Sequence, residues 1–195
     1  MPPEPTRSLT LAQHTDADAL LTANPLALLI AMLLDQQIPM ERAFLGPYLL
    51  AERLGGRLDA ADIAERESAE FAALAAGPPA IHRFPGSMAT RIQALCRQLV
   101  DSYEGRAELV WQDATDSADL QRRLVTLAGF GPPKAKIFAA LLGKQLGVRP
   151  PGWREAAAPY ADDGVFFSVA DVTDTTSIDK VRAHKQAQKR AAKGG

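Results

Sequence analysis

Apolar positions along this chain recur at helical spacing, and strand-like alternation is nearly absent. The densest block runs from Leu26 to Leu34, where every residue is apolar. A helix apolar on all sides is buried among other helices, so a central helix is predicted from Leu26 to about Gln37, opened by Asn24 or Pro25. It ends on an abruptly polar tip, Asp35-Gln36-Gln37, before Ile38-Pro39, where the proline disfavours helix in the residue before it. Asp16 to Ala23 suits a short first helix. Met40 to Leu54 suits a longer one, closed by Gly55-Gly56. Asp59 can cap a helix through Arg66, and Ser68 another that stops near Gly77. Ile92, Leu95, Cys96, Leu99 and Val100 share one face of a helix predicted from Met88 to Tyr103 with Ser87 as its cap. Asp119 to Thr126, Ala135 to Leu146 and a segment starting near Thr176 complete the helical set, and Val165 to Val169 is the sole candidate strand. Residues 1 to 8 are proline-rich and expected to be loose.

The stretch from Leu124 to Phe138 carries the first chemical signal. It reads as a helix, a tight turn holding Gly129 and Gly131, and a second helix starting at Pro132 or Pro133. Both glycines can take positive φ angles, and proline suits a helix's first turn. Backbone N–H groups at such a start have no helical partner and lie at the positive end of the helix dipole, which suits an anion such as phosphate. Lys134 and Lys136 set cations beside it. The plainer alternative is an ordinary helix-helix turn. Asp35-Gln36-Gln37 is likewise either a solvated helix end or a tip directed at something specific.

With 195 residues, 47% of them hydrophobic, the chain is long enough for a real core and fits one domain or two lobes sharing the chain. Its net charge is −1, yet the stretch from Lys180 to the end holds six cations and no acid, which leaves the body at −7. Any nucleic-acid contact must therefore come from local patches. Cys96 is the only cysteine, which excludes an internal disulfide, a cysteine zinc site and an iron–sulfur cluster held by this chain; a small core residue is expected there. No basic-then-apolar leader or membrane-length apolar run occurs, so an intracellular, cytoplasmic protein with no membrane contact is expected; a monomer is expected as well.

Three separated blocks between about Leu26 and Gly147 together resemble the helix-hairpin-helix DNA glycosylase superfamily, which includes endonuclease III and the alkylbase glycosylases. Leu127-Ala128-Gly129-Phe130-Gly131, with Ala135 in the next helix, resembles the family hairpin. Leu33-Leu34-Asp35-Gln36-Gln37-Ile38 resembles the element whose polar end enters DNA at the flipped base. Phe84-Pro-Gly-Ser-Met-Ala89 resembles the glycine turn and helix leading toward the hairpin. The resemblance implies an all-α, two-lobed fold: a barrel over 26–146 containing the hairpin (124–146) and a second lobe from 1–25 plus 147–180; the charge run at the end adds the expectation of a basic, disordered tail over 181–195. It implies double-stranded DNA carrying a lesion or mismatch as partner. Gln36, Gln37, Gly129, Phe130, Gly131, Lys134 and Lys136 would contact it, and the carbonyls of Val125, Leu127 and Phe130 would hold a possible monovalent cation. No other cofactor is expected.

Two departures from the family pattern shape the expected activity. Bifunctional members carry a lysine nucleophile at the position aligned with Pro133, and proline cannot form a Schiff base; a monofunctional glycosylase without β-lyase activity is expected. Lys134, one residue on, points about 100° around the helix and is expected to meet a phosphate. The family's catalytic aspartate lies after the second hairpin helix, where 147–154 holds no carboxylate. Glu155 and Asp35 are the candidates for stabilising the sugar cation or activating water, with Asp162, Asp163 and Asp171 more distant. Trp153 and Tyr160 could stack on an extruded base, although a tryptophan beside two prolines also suits a packed loop. His82 and Arg83 could line the DNA groove or form a surface pair. Loss of the catalytic carboxylate would leave a non-catalytic, lesion- or structure-selective DNA-binding protein on the same fold. An ordinary turn at the hairpin would leave a protein-interaction module.

Overall fold

The structure, a computed structural model, describes residues 8–194. Most of the proline-rich start, residues 1–7, lies outside them, as does Gly195. The described residues form eleven α-helices and one 3-10 turn, with no strand among them. In chain order the helices are α1 (Thr15–Ala23), α2 (Pro25–Leu34), α3 (Met40–Arg53), α4 (Ala60–Glu65), α5 (Ser68–Ala76), α6 (Pro85–Tyr103), α7 (Leu109–Gln112), α8 (Ser117–Val125), α9 (Pro132–Gln145), α10 (Trp153–Ala157) and α11 (Thr175–Lys193). No single helix among the described residues is long and apolar enough to cross a membrane.

α2 is the centre of the core, as its composition requires. The Asn24 side chain accepts the Ala27 N–H, Pro25 takes a first-turn position where no N–H is needed, and every residue from Leu26 to Leu34 is buried. Each fully buried leucine contributes roughly 1.5–3 kcal/mol of hydrophobic transfer. α3 lies closest against it, with Gly46 at the crossing: a Cβ there would stand 2.5 Å from Leu34 Cδ1. α1 packs on α2 and α3, while α4 and α5 pack on α6. Downstream, α7, α8 and α10 gather around α9, and α11 rests on the 3-10 turn at Val169–Asp171.

Several boundaries differ from the sequence reading for local reasons. α2 stops at Leu34, because Asp35 leaves helical geometry with ψ 68. α6 begins at Pro85 rather than Met88, with Phe84 in the cap position and no side-chain cap from Ser87. Glu67, not Ser68, caps α5. The short α7 has too few residues to give a periodic signal. Val165 to Val169 is not a strand: Ser168 caps the 3-10 turn, and the Phe167 and Ser168 N–H groups both donate to Asp171. The basic end, expected as a disordered tail, is helical through Lys193. Asp174 and Ser177 form a reciprocal cap at its start, and Ile178 and Val181 bury its first turns.

Candidate functional site

The hairpin between α8 and α9 packs directly on the end of α2. Gly129 has φ +84, and a Cβ on it would lie 2.8 Å from Leu33 Cγ, so only glycine serves both the backbone and the contact. Gly131 differs from expectation: with φ −84 and ψ 173 it caps α9 in ordinary extended geometry, open to solvent. Phe130 is a buried anchor set edge-on to Phe138, so its side chain is turned away from any ligand of the turn. Pro132 and Pro133 remove two first-turn N–H donors that a helix start would otherwise present. The N–H groups of Gly129, Gly131 and Lys134 remain without an acceptor among the described residues.

A residue that carried no signal of its own clamps this turn. Gln98 of α6 donates its Nε2 to the Thr126 carbonyl at 2.8 Å and accepts the Ala128 N–H at 2.7 Å. Its position beside Cys96 and Leu99 reads as a polar edge of an amphipathic helix, so only the fold reveals the bridge.

The polar tip is held from three sides. Gln36 donates to the Leu33 carbonyl at 2.8 Å, receives Arg91 on its own side-chain oxygen at 3.2 Å, and receives His82 Nε2 on its backbone carbonyl at 2.8 Å. The Phe84 N–H donates to His82 Nδ1 at 3.0 Å, which leaves the proton on Nε2 and fixes the tautomer. His82 is 1% exposed, so it is neither a groove residue nor half of a surface pair: it is a buried strut beneath the tip. Gln36 is thus anchored, whereas Gln37 is exposed and holds φ +59, a left-handed conformation costly for a residue with a side chain. Phe84 stands 44% exposed beside these groups, with the Arg83 guanidinium 5.3 Å from its ring centre.

Lys134 joins the two halves of the site. Its Nζ donates to the Leu33 carbonyl at 3.3 Å, an oxygen that the end of α2 leaves without a helical partner. Burial pushes its ammonium below the usual lysine range, Asp35 pulls it back up, and Arg91 and Lys185 depress it further. The free phosphate ligand expected here is instead a half-buried tie between hairpin and tip. Lys136 is exposed on α9.

Asp35 ends α2 with its side chain 13% exposed and the Lys185 ammonium 4.0 Å away. It lines a cleft of about 560 Å³ between the tip, the start of α3 and α11. The other candidates are elsewhere. Glu155 is exposed on α10. Trp153 packs its ring on Gly143, where a Cβ would come within 2.5 Å, and lies between Arg149 and Arg154. Tyr160 offers its carbonyl to Lys144. Trp153 lines a smaller cavity of about 250 Å³ that shares no residue with the cleft at Asp35. Of the distant acids, Asp163 pairs with Arg154 at 3.1 Å and Asp171 with Lys144. Cys96 is buried in α6 with its thiol pushed up to about 12 by burial, which keeps it protonated and inert.

Among the described residues, an all-helical fold thus sets an open glycine hairpin beside a strained glutamine tip. The model of the HhH-GPD superfamily base excision DNA repair proteins matches residues 30–193, and the chain belongs to that superfamily. DNA is accordingly its partner and DNA glycosylase its general enzyme kind. No curated protein and no solved structure matches the chain.

Proposed function

We propose that this protein is a monofunctional glycosylase that hydrolyses the N-glycosidic bond of a damaged or mispaired base in duplex DNA. The observation that carries the reading is the direct packing of the hairpin on the base-probing tip, through Gly129 on Leu33 and Lys134 on the Leu33 carbonyl. Phosphates held at the hairpin N–H groups would fix the duplex within reach of Gln37. The extruded nucleotide leaves a gap that Gln37 fills, and Phe84 is placed to enter the stack as an apolar wedge. Flipping costs a few kcal/mol, least for a weakly paired base, so selection begins before any contact with the lesion.

Asp35 is the better supported of the carboxylates, since it borders the cleft beside the tip while Glu155 faces solvent on α10. As general base it would take a proton from the water that attacks C1′. The carbonyls of Val125 and Leu127 fit a hard monovalent cation: the first has no N–H partner among the described residues, and the second uses one lone pair on Phe130 N–H at 3.0 Å. With the Phe130 carbonyl they would hold it, and its charge would offset that of a bound phosphate.

Lesion-bearing duplexes incubated with the full chain test the reading. Abasic product that breaks only on alkali treatment, with no borohydride-trapped covalent complex, is expected. Strand cutting without alkali would make the enzyme bifunctional. Lesion-selective binding with no abasic product across a broad panel would make it a non-catalytic DNA-binding protein.

A further inference from the structure

The cleft at Asp35 has a chemical character that selects among bases. It opens beside Gln37, and α11 supplies its far wall with Arg182, Lys185 and Lys189. Asp35 and Glu41 are the acids on its lining, and each already faces a cation: Lys185 stands 4.0 Å from Asp35, and Arg182 pairs with Glu41. No Phe, Tyr or Trp lines it among the described residues.

A base with a fixed positive charge, such as an N-alkylated purine, binds best over an aromatic face or against an unpaired acid. This cleft has neither, and its cations outnumber its acids. A neutral base that presents carbonyl oxygens meets the opposite conditions, because Lys189 faces no acid on the lining, and Arg182 and Lys185 carry N–H donors beyond those turned to Glu41 and Asp35.

The departing group sharpens the distinction. When a neutral base leaves, the C1′–N bond breaks and its electron pair goes to the ring nitrogen, giving an anion spread over the carbonyl oxygens. Water's oxygen bonds to C1′, its proton passes to the Asp35 carboxylate, and the base anion later takes a proton from solvent. Cations fixed around the departing ring stabilise that charge as it forms. An alkylated, cationic base leaves as a neutral molecule and gains nothing from them.

We infer that the cleft between the tip and α11 takes an extruded neutral base with a carbonyl-rich edge, such as uracil or a ring-oxidised pyrimidine, and that Lys185 stabilises its departure. The inference rests on the glycosylase reading above and adds its substrate class.

The test is single-turnover base release by the full chain from one duplex sequence carrying uracil, 5-hydroxyuracil, 7-methylguanine or 3-methyladenine. A carbonyl-rich neutral base is expected to be released fastest. Lys185→Gln is then compared with the parent protein on 5-fluorouracil, uracil and thymine, each opposite guanine. Its loss is expected on the order of tenfold for uracil, below the hundredfold of an enclosed donor because Lys185 is partly solvated. That loss should grow from 5-fluorouracil, the best leaving group, to thymine, the poorest. Faster release of either alkylated base, or an equal loss on all three pyrimidines, overturns the inference while leaving a glycosylase in place. Release of no base from any duplex removes the glycosylase reading and this one with it.

Discussion

The end of α2 and the segment that follows α9 are both rich in charged and polar groups, yet they dispose of them in opposite ways. Around the segment after α9 the polar groups satisfy one another: Lys144, in the last turn of α9, binds Asp171 and the carbonyls of Tyr160 and Asp162, Arg154 meets Asp163, and Arg149 donates to the Gly143 carbonyl. Trp153, the region's large aromatic, is packed on a glycine. At the end of α2 the buried His82, the half-buried Lys134 and the exposed Arg91 serve to hold a tip whose outermost residue is strained and exposed. One region is closed on itself, and the other keeps binding capacity turned outward. Charge content alone does not separate the two regions; partner satisfaction does.

The contrast predicts where substitutions should affect chemistry and where only stability. Asp35→Asn should lower the single-turnover rate of base release by about 100- to 10,000-fold, the usual worth of a general base, while Glu155→Gln leaves it unchanged. The reverse result would move the active carboxylate to α10. In the closed region, Lys144→Met leaves the Asp171 carboxylate, 2% exposed, without its cation. A loss of about 3 kcal/mol is expected in urea unfolding, the low end for a broken buried pair because two backbone N–H groups still hold Asp171. Duplex affinity of the folded protein should not change.

A matched pair of glycines sharpens the same contrast at smaller magnitude. Gly143→Ala drives a Cβ into the Trp153 ring and should cost about 1–3 kcal/mol of stability with duplex affinity intact. Gly129→Ala forces a side chain into left-handed geometry against Leu33 and should cost about 1–2 kcal/mol, this time with weakened duplex binding. Equal effects on binding, read by fluorescence anisotropy, would erase the distinction between the regions.

The smallest expected effect is in acid stability. Asp119 accepts the Thr115 N–H and pairs with Arg123 and Arg122, in that order of influence, and these hold its carboxyl below the ordinary 3.8. Such a group stabilises the fold above that value and loses its contribution as pH falls through its own lower range. Asp119→Asn should therefore flatten the decline of stability below about pH 4, measured by urea midpoints at successive pH values, and leave the pH 7 rate of base release alone.

How far the fold and site were legible follows from the same physics. An unbroken apolar helix stopped by Asp-Gln-Gln announces both a core and its polar end, and Gly129 could be read because a positive φ and a close approach both demand glycine. Gly131 could not, since a flexible residue does not reveal which of its conformations the cap will use. Pro132 and Pro133 were recognisable as a helix start, but the donors they delete count only once the neighbouring N–H groups are seen without partners. His82, Gln98 and Phe84 depended on which helices meet, and nothing local to them encodes that. In α11, basic composition suggested a tail, whereas the Asp174–Ser177 cap and two buried residues make it a helix.

The claim at the centre is that Gln37 and Phe84 enter the duplex while the region around Trp153 does not. Fluorescence of 2-aminopurine placed beside the lesion reports the unstacking directly. Binding of the full chain should raise it, Gln37→Ala with Phe84→Ala should abolish the rise at saturating protein, and Trp153→Ala should leave it intact. A rise that survives the tip substitutions and disappears with Trp153→Ala would contradict the account.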